Sequence, residues 1–472
     1  MSKDKKNSVY GLRSGVLSPI EVFAQSVANI APTASPTVVI PLVFAIAGVG
    51  SWVAYAFATV AILLVAWSVN VFAKDSAAPG SIYIYASNAL GPKVGALTGW
   101  LLIIAYIGTA AAVTGGFTNY FNVFLTFWGI HGISPAILTI VPIAISFWVA
   151  YKDIQLSVRL ILGLELFSIT LILILTVVTL INHPHVINTS ILTLKNVDFG
   201  HLQNGLVLAI FSFVGFESAA SLGDEAKNPL RTIPKALVRS ALFVGVFFVF
   251  VAYTETLGGA FSNANAPLNK LAIDAGIPFL IPLISFGAVI SFFACTLASI
   301  NAGARIIFHM ARHGLFYHTI VKTSQQNETP SHAILLASII TLLLSEPFVF
   351  FGADGFQIYG WVGAIATLGF ITTYIIISFA APIYLKQRGR LTAKGVVIPV
   401  AAIIFLGIAF VGNFYPAPST FPESILPYLF LVYALVGVVY FGILKFSSKR
   451  NISVNIRTDI QRIESEYSVK KV

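Results

Sequence analysis

The chain has 472 residues, of which 57% are hydrophobic and only 10% are charged, with a mean hydropathy of +0.88. A water-soluble domain needs more charge to cover its surface, so the composition excludes that class and points to an integral membrane protein. The net charge of +10 invites a nucleic-acid reading, but the cations flank apolar runs, where they act as topology signals.

The start, MSKDKK, is basic, yet no short apolar core with a small-residue cleavage site follows, so the first apolar run reads as a retained span. Runs of roughly 20 apolar residues, the length that crosses a bilayer, begin near residues 18, 52, 95, 133, 156, 203, 236, 279, 332, 358, 396 and 426. Twelve helical spans are predicted. The alternating segments of an outer-membrane barrel are absent, so the fold class is all-α. The expected organisation is an N-terminal tail (1–17), one membrane domain (18–445) and a charged tail (446–472). Tail residues 455–467, NIRTDIQRIESEY, are compatible with a polar helix, although a loosely ordered tail is the favoured reading. With the N-terminus placed inside, every Lys and Arg except Lys195 and Lys270 falls on the inner side. That bias predicts a multi-pass plasma-membrane protein with both termini cytoplasmic.

Within the first span, SVANIAPTASPTVVIPL (26–42) carries Pro32 and Pro36 around Thr33, Ala34 and Ser35. Proline lacks an N–H and clashes with the preceding turn, so the helix should break across residues 31–35. Backbone groups freed at that depth need protein or a water-filled cavity to satisfy them. The fifth span, LILGLELFSITLI, holds Glu165, a coupling candidate or a structural hydrogen-bond acceptor. The sixth, GLVLAIFSFVGFESAASL (205–222), carries Gly215 and Glu217 near its middle. Glycine loosens a helix, and a mid-bilayer carboxylate is functional by default. Interruptions in spans one and six correspond if the first ten spans form two five-span repeats of opposite topology. Paired broken helices point to a transporter site, where half-helix ends hold charged groups of the cargo.

Among the remaining candidates, Thr296 and Ser299 in span eight offer hydroxyls for a sodium ion or for helix–helix hydrogen bonds. His309 and His313 lie one helical turn apart, but without further ligands they read as solvated side chains. The lone Cys295 cannot form an internal disulfide. No Walker A pattern and no nucleophile–base grouping appears, so neither nucleotide hydrolysis nor another enzyme activity is expected, nor a cofactor or resident metal.

The stretches APTASPTVVIP, APGSIYIYASNALGPKVGALTGW (78–100), VGFESAASLGDEAKNPLRTIPKAL (214–237) and ARIIFHMARHGLFYHTIVKTSQQNETPSHAI (304–334) resemble the amino acid–polyamine–organocation (APC) permease superfamily. The resemblance covers about residues 18–445 and implies a LeuT-type fold: five-plus-five inverted repeats with broken helices 1 and 6, plus two accessory helices. It further implies that an amino acid's carboxylate sits at Pro32, Thr33, Ala34, Ser35 and Pro36. The amino group would meet carbonyls around Phe211, Phe213, Val214 and Gly215, with Phe211 as the aromatic gate. Tyr106 and Thr109 on span three match the pocket floor and wall, or else pack. Phe211, Phe213, Phe216 and Tyr106 together hint at apolar or aromatic cargo. The family's glycine-rich turn in span one is here Ala-Ser-Pro, and Pro36 cannot donate an amide hydrogen bond. An amine or polyamine carrier, or an amino acid/amine exchanger, therefore stands beside an amino acid permease, and a non-transporting sensor is the rival from another class. Proton coupling through Glu217 and Glu165 is preferred to sodium. The partners expected are a small amino acid or amine and membrane lipid, with no nucleic acid, in a monomer or homodimer.

Overall fold

A computed structural model describes residues 11–77, 80–183, 186–194, 197–262, 267–415, 421–447 and 452–468. The N-terminal lysines, Lys195, His185 and the last residues of the tail lie outside these. In chain order the helices are α1 (Pro19–Ile30), α2 (Ile40–Ala47), α3 (Ser51–Ala73), α4 (Ile82–Leu90), α5 (Pro92–Thr126), α6 (Pro135–Lys152), α7 (Ile154–Asn182), α8 (Thr189–Leu192) and α9 (Phe199–Phe211). They continue with α10 (Pro229–Leu257), α11 (Pro267–Asp274), α12 (Ile281–Arg312), α13 (Ser331–Phe350), α14 (Gly355–Gln387), α15 (Lys394–Gly412), α16 (Leu426–Ser447) and α17 (Ile452–Ser468). Among the described residues there is no strand, only an isolated bridge between Leu17 and Ala226.

Among the described residues eleven segments are long and apolar enough to cross a membrane, so the chain is a multi-pass membrane protein. The first of them, Pro19–Ala73, has 55 residues and is not one rod. It is broken at Ala31, which adopts φ 53° and ψ 66°, and again at Gly48, with φ 56° and ψ −134°. Both conformations lie outside the right-handed helical region.

The helices pack as two groups. In one, α1, α2, α3, α9, α10 and the 3₁₀ segment Phe216–Leu222 lie against one another. In the other, α5 forms a spine packed on α12, α14 and α4, with α6 and α13 outside. Small residues permit the close approaches, as expected where lipid provides no hydrophobic drive between helices. A Cβ on Gly115 of α5 would lie 2.4 Å from the Gly355 carbonyl of α14, and one on Gly116 would lie 2.4 Å from the Phe292 ring of α12.

The tail departs from the loosely ordered expectation. Residues 452–468 form α17, which packs on α4 and α5. Its apolar positions Ile456, Ile460 and Ile463 are buried, spaced for one helical face. Asp459 on that helix pairs with His313 Nε2 at 3.2 Å, while His313 Nδ1 lies 2.8 Å from the Tyr83 hydroxyl. His309 and His313 are thus buried, not solvated, and α17 supplies the partner of His313. Burial opposes ionisation of Asp459, but the hydrogen bond from His313 and the charges of His313, His309 and Arg462 outweigh it and hold the carboxyl at about 2.

Candidate functional site

The site is built where the two interrupted helices meet. After α1 ends, the amide of Ala31 bonds the Ala28 carbonyl and that of Ala34 bonds Ala31, a loose turn that replaces the α-helical ladder. The chain then re-enters a helical path through a π-helical stretch, Ser35–Val39. This is the break expected from Pro32 and Pro36. In the partner segment α9 stops at Phe211. The amides of Phe213 and Val214 bond the carbonyls of Ile210 and Phe211, and Gly215 takes φ 85° before the 3₁₀ turn begins.

The two breaks touch. A Cβ on Gly215 would lie 1.7 Å from Asn29 Nδ2, so only glycine allows both the left-handed backbone and the Asn29 side chain. Ser218 Oγ donates to the Gln25 carbonyl at 3.1 Å, and the Ala219 amide donates to Ser26 Oγ at 3.3 Å. These bonds join the Phe216–Leu222 segment to α1. Buried polar atoms without a partner among the described residues gather here: Asn29 Nδ2, Thr33 Oγ1 and Gln25 Oε1. Such atoms are uncommon in a packed interior and suit a polar ligand.

The sequence-derived candidates fall into two sets. Thr33, Ala34, Ser35 and Pro36 form the first break, and Phe211, Phe213, Val214 and Gly215 the second. The Phe211 and Phe213 carbonyls each accept one bond within the turn, from Val214 and Phe216, and each oxygen keeps a second lone pair. The candidate side chains have partners within the bundle. Phe213 packs on Phe248 and Tyr55, and Phe216 packs on Tyr374. Thr109 Oγ1 donates to the Ala105 carbonyl, Thr296 Oγ1 donates to the Phe292 carbonyl and Ser299 Oγ donates to Asn29 Oδ1. Among the described residues no group of three His, Cys, Asp or Glu side chains is placed to hold a metal.

Glu217 is wholly buried and accepts hydrogen bonds from two tyrosines. The Tyr106 hydroxyl donates to Oε1 at 2.6 Å, and the Tyr374 hydroxyl donates to Oε2 while accepting from the Gly215 amide at 3.1 Å. One carboxylate thereby ties the second break to α5 and α14. Glu165 is buried as well, with Ser291 Oγ donating at 3.0 Å. A third carboxylate escaped the sequence reading. Glu255 on α10 is fully buried, and among the described residues neither of its oxygens has a hydrogen-bond partner. It sits near the end of an apolar run, and only its depth in the bundle distinguishes it from a rim residue.

The two ends of the bundle differ. On the side of Leu17, Arg305 makes a two-pronged ion pair with Glu225 at 2.6 and 2.7 Å, and both are 1% exposed. The N-terminal segment is stitched across the same end: Leu17 bonds the 225–227 backbone in both directions, and Arg13 pairs with Asp153 and Glu328. This end is closed. On the opposite side a cavity of about 720 Å³ lies between α2, α9, α14 and α15, lined by Thr37, Asn204 and Tyr359 among others. Tyr359 packs on the half-buried Phe211, with ring centroids 5.7 Å apart. A residue of the cavity wall thus contacts the ring at the start of the second break.

Comparison with known proteins agrees with this architecture. The family model for amino acid permeases matches residues 21–457. Similar proteins include the branched-chain amino acid permease BcaP of Bacillus subtilis, 26% identical over 76% of this chain and 80% of its own. They also include the methylthioribose transporter of B. subtilis, 25% identical over 77% and 80%. The low-affinity putrescine importer PlaP of Escherichia coli K12 is 24% identical over 82% and 84%. With the family model covering nearly the whole bundle, the chain belongs to the amino acid permease family of the APC superfamily.

Proposed function

We propose that the chain is a secondary active transporter of amino acids, coupled to protons, that works by alternating access around the junction of the two broken helices. The observation that carries this reading is that junction itself: interrupted backbones in contact, orphaned polar atoms beside them, a cavity leading in from one end and a buried ion pair sealing the other. Divided at Gly48, the apolar segments number twelve, ten forming two inverted repeats and two accessory. Both termini lie in the cytoplasm of a cell whose plasma membrane holds the protein, so the cavity faces outward and the Arg305–Glu225 end inward.

In this reading the carboxylate of the cargo meets the turn at Thr33–Ser35 and its amino group the carbonyls near Phe211 and Phe213. Phe211 closes over it. The group formed by α1, α2, α3, α9 and α10 then rocks against the α5–α12 group, opening the Arg305 end. Glu217 joins the second break to both groups and is the first candidate for the coupling proton, with Glu165 next. Deprotonated carboxylates in a dry interior are costly unless paired, which makes a proton a natural companion of the cargo.

A second reading, an amine or polyamine carrier, draws on Pro36, which withholds an amide from a carboxylate, and on the unpaired Glu255 carboxylate, which suits a cation. Counterflow of labelled amino acids and amines into proteoliposomes, run at two pH values, tests the choice. Exchange of amino acids, faster at acid pH, is expected. Exchange of amines alone supports the second reading, and no exchange of any solute rejects transport.

A further inference from the structure

On the outer surface of the bundle, α10 carries Arg231, Lys235 and Arg239 at four-residue spacing, all exposed. Successive members turn by 40° and rise by about 6 Å, so the three form one stripe roughly 12 Å long. Among the described residues none of them has an ion-pair partner. Cations without carboxylates at the end of a membrane helix lack internal neutralisation.

The stripe borders a cavity of about 590 Å³ between α10 and the start of α1, where Pro19, Ile20 and Phe23 form the opposite wall. At Arg239 this cavity runs into a second one of about 560 Å³, floored by Phe23, Phe243, Phe247 and Phe250 and walled by Leu173 of α7. Phe23 and Phe243 meet edge to face at 6.1 Å. A basic chamber thus opens at its membrane-ward end into an apolar trough, and Arg239 belongs to both.

We propose that this is a binding site for a two-chain anionic phospholipid, its phosphate held by Arg231, Lys235 and Arg239 and one acyl chain lying in the Phe23–Phe243–Phe247 trough. Charge selects the headgroup, since basic pockets between helices at a membrane face capture anionic lipids. The continuous trough selects a lipid over free phosphate, which has nothing to place there. The arginine and lysine stems lie along the apolar wall with their charges at the headgroup level. The bound lipid would bridge α1 and α10 beside the closed end of the bundle.

The test uses the full purified chain in micelles of neutral detergent, titrated with phosphatidylglycerol, phosphatidylcholine, glycerol phosphate or inorganic phosphate, and read by melting temperature and by native mass spectrometry of retained lipid. Phosphatidylglycerol alone is expected to be retained and to raise the melting temperature. The triple variant Arg231→Gln, Lys235→Gln, Arg239→Gln is expected to bind it on the order of a hundred-fold more weakly, about five-fold per cation. A charge-matched control at exposed positions elsewhere, Lys322→Gln, Lys386→Gln, Lys394→Gln, is expected to bind like the parent. Should the triple variant fold poorly, Arg239→Gln alone is expected to lose about five-fold. Equal retention of phosphatidylcholine, an unchanged preference in the variants, an equal loss in the control, or full stabilisation by glycerol phosphate or phosphate would each overturn the proposal.

Discussion

Replacing Gly215 by alanine should disable the site while leaving the bundle folded. Two costs can be read from the structure. A residue with a Cβ pays about 1–2 kcal/mol to stay left-handed at φ 85°. The new methyl would also collide with Asn29, whose amide nitrogen would be 1.7 Å away and its Cγ 2.8 Å. Asn29 is buried and accepts a bond from Ser299, so displacing it forfeits about 1 kcal/mol more. The broken conformation is then penalised by about 2–3 kcal/mol, or roughly 30- to 150-fold in its population relative to a straightened helix. Counterflow of whichever labelled amino acid the parent exchanges should fall by that order at an almost unchanged melting temperature. The double variant Asn29→Ala, Gly215→Ala removes the collision, so its melting temperature should be no lower than that of Gly215→Ala alone. Counterflow by Gly215→Ala at the parental rate would refute the reasoning, because the break would then be dispensable.

Arg305→Ala strands the Glu225 carboxylate in the interior, an expected loss of about 3–5 kcal/mol, whereas Arg305→Met with Glu225→Leu should regain most of it; chemical or thermal denaturation of the three proteins decides. Glu217→Gln keeps one acceptor oxygen for two tyrosines, so about 1–3 kcal/mol of clamping is lost, and uptake measured between about pH 5 and pH 8 should lose its pH dependence; unchanged pH dependence retires Glu217 from coupling. Glu255→Gln removes an unpartnered carboxylate and should leave the melting temperature unchanged or higher, a fall of many degrees showing an undetected partner. Asp459, held at about 2 by His313 and its neighbours, stabilises docking of α17 above its unpaired value near 4 and loses that contribution as pH falls toward 2; Asp459→Asn should weaken docking by roughly 2 kcal/mol near neutrality, seen as faster proteolysis of the tail.

The breaks were legible because their causes are local: two prolines four apart, and a glycine beside a carboxylate in an apolar run. Glu217 was legible as a mid-span charge, although its two tyrosine partners, on α5 and α14, were not. What the sequence hides is pairing between distant positions. Arg305 reads as one more cation on the inner side, and only the fold brings it to Glu225, 80 residues earlier. The tail reads as polar because charged residues separate Ile456, Ile460 and Ile463, yet those three share one buried face of α17, and Asp459 beside them reaches His313. The packing of Phe213 and Phe216 is hidden for a related reason. Next to a break the helical period no longer applies, so spacing does not say which rings face the cavity.

Equilibrium binding of leucine, compared with its decarboxylated amine and its deaminated acid, tests the junction of the breaks most directly. In the proposed site the two charged ends of an amino acid would meet Thr33–Ser35 and the carbonyls of Phe211 and Phe213, so leucine should bind and each truncated analogue should bind at least ten-fold more weakly, a difference of about 1.4 kcal/mol. An amine that binds as tightly as leucine would contradict the carboxylate site and leave a carrier of cations in its place.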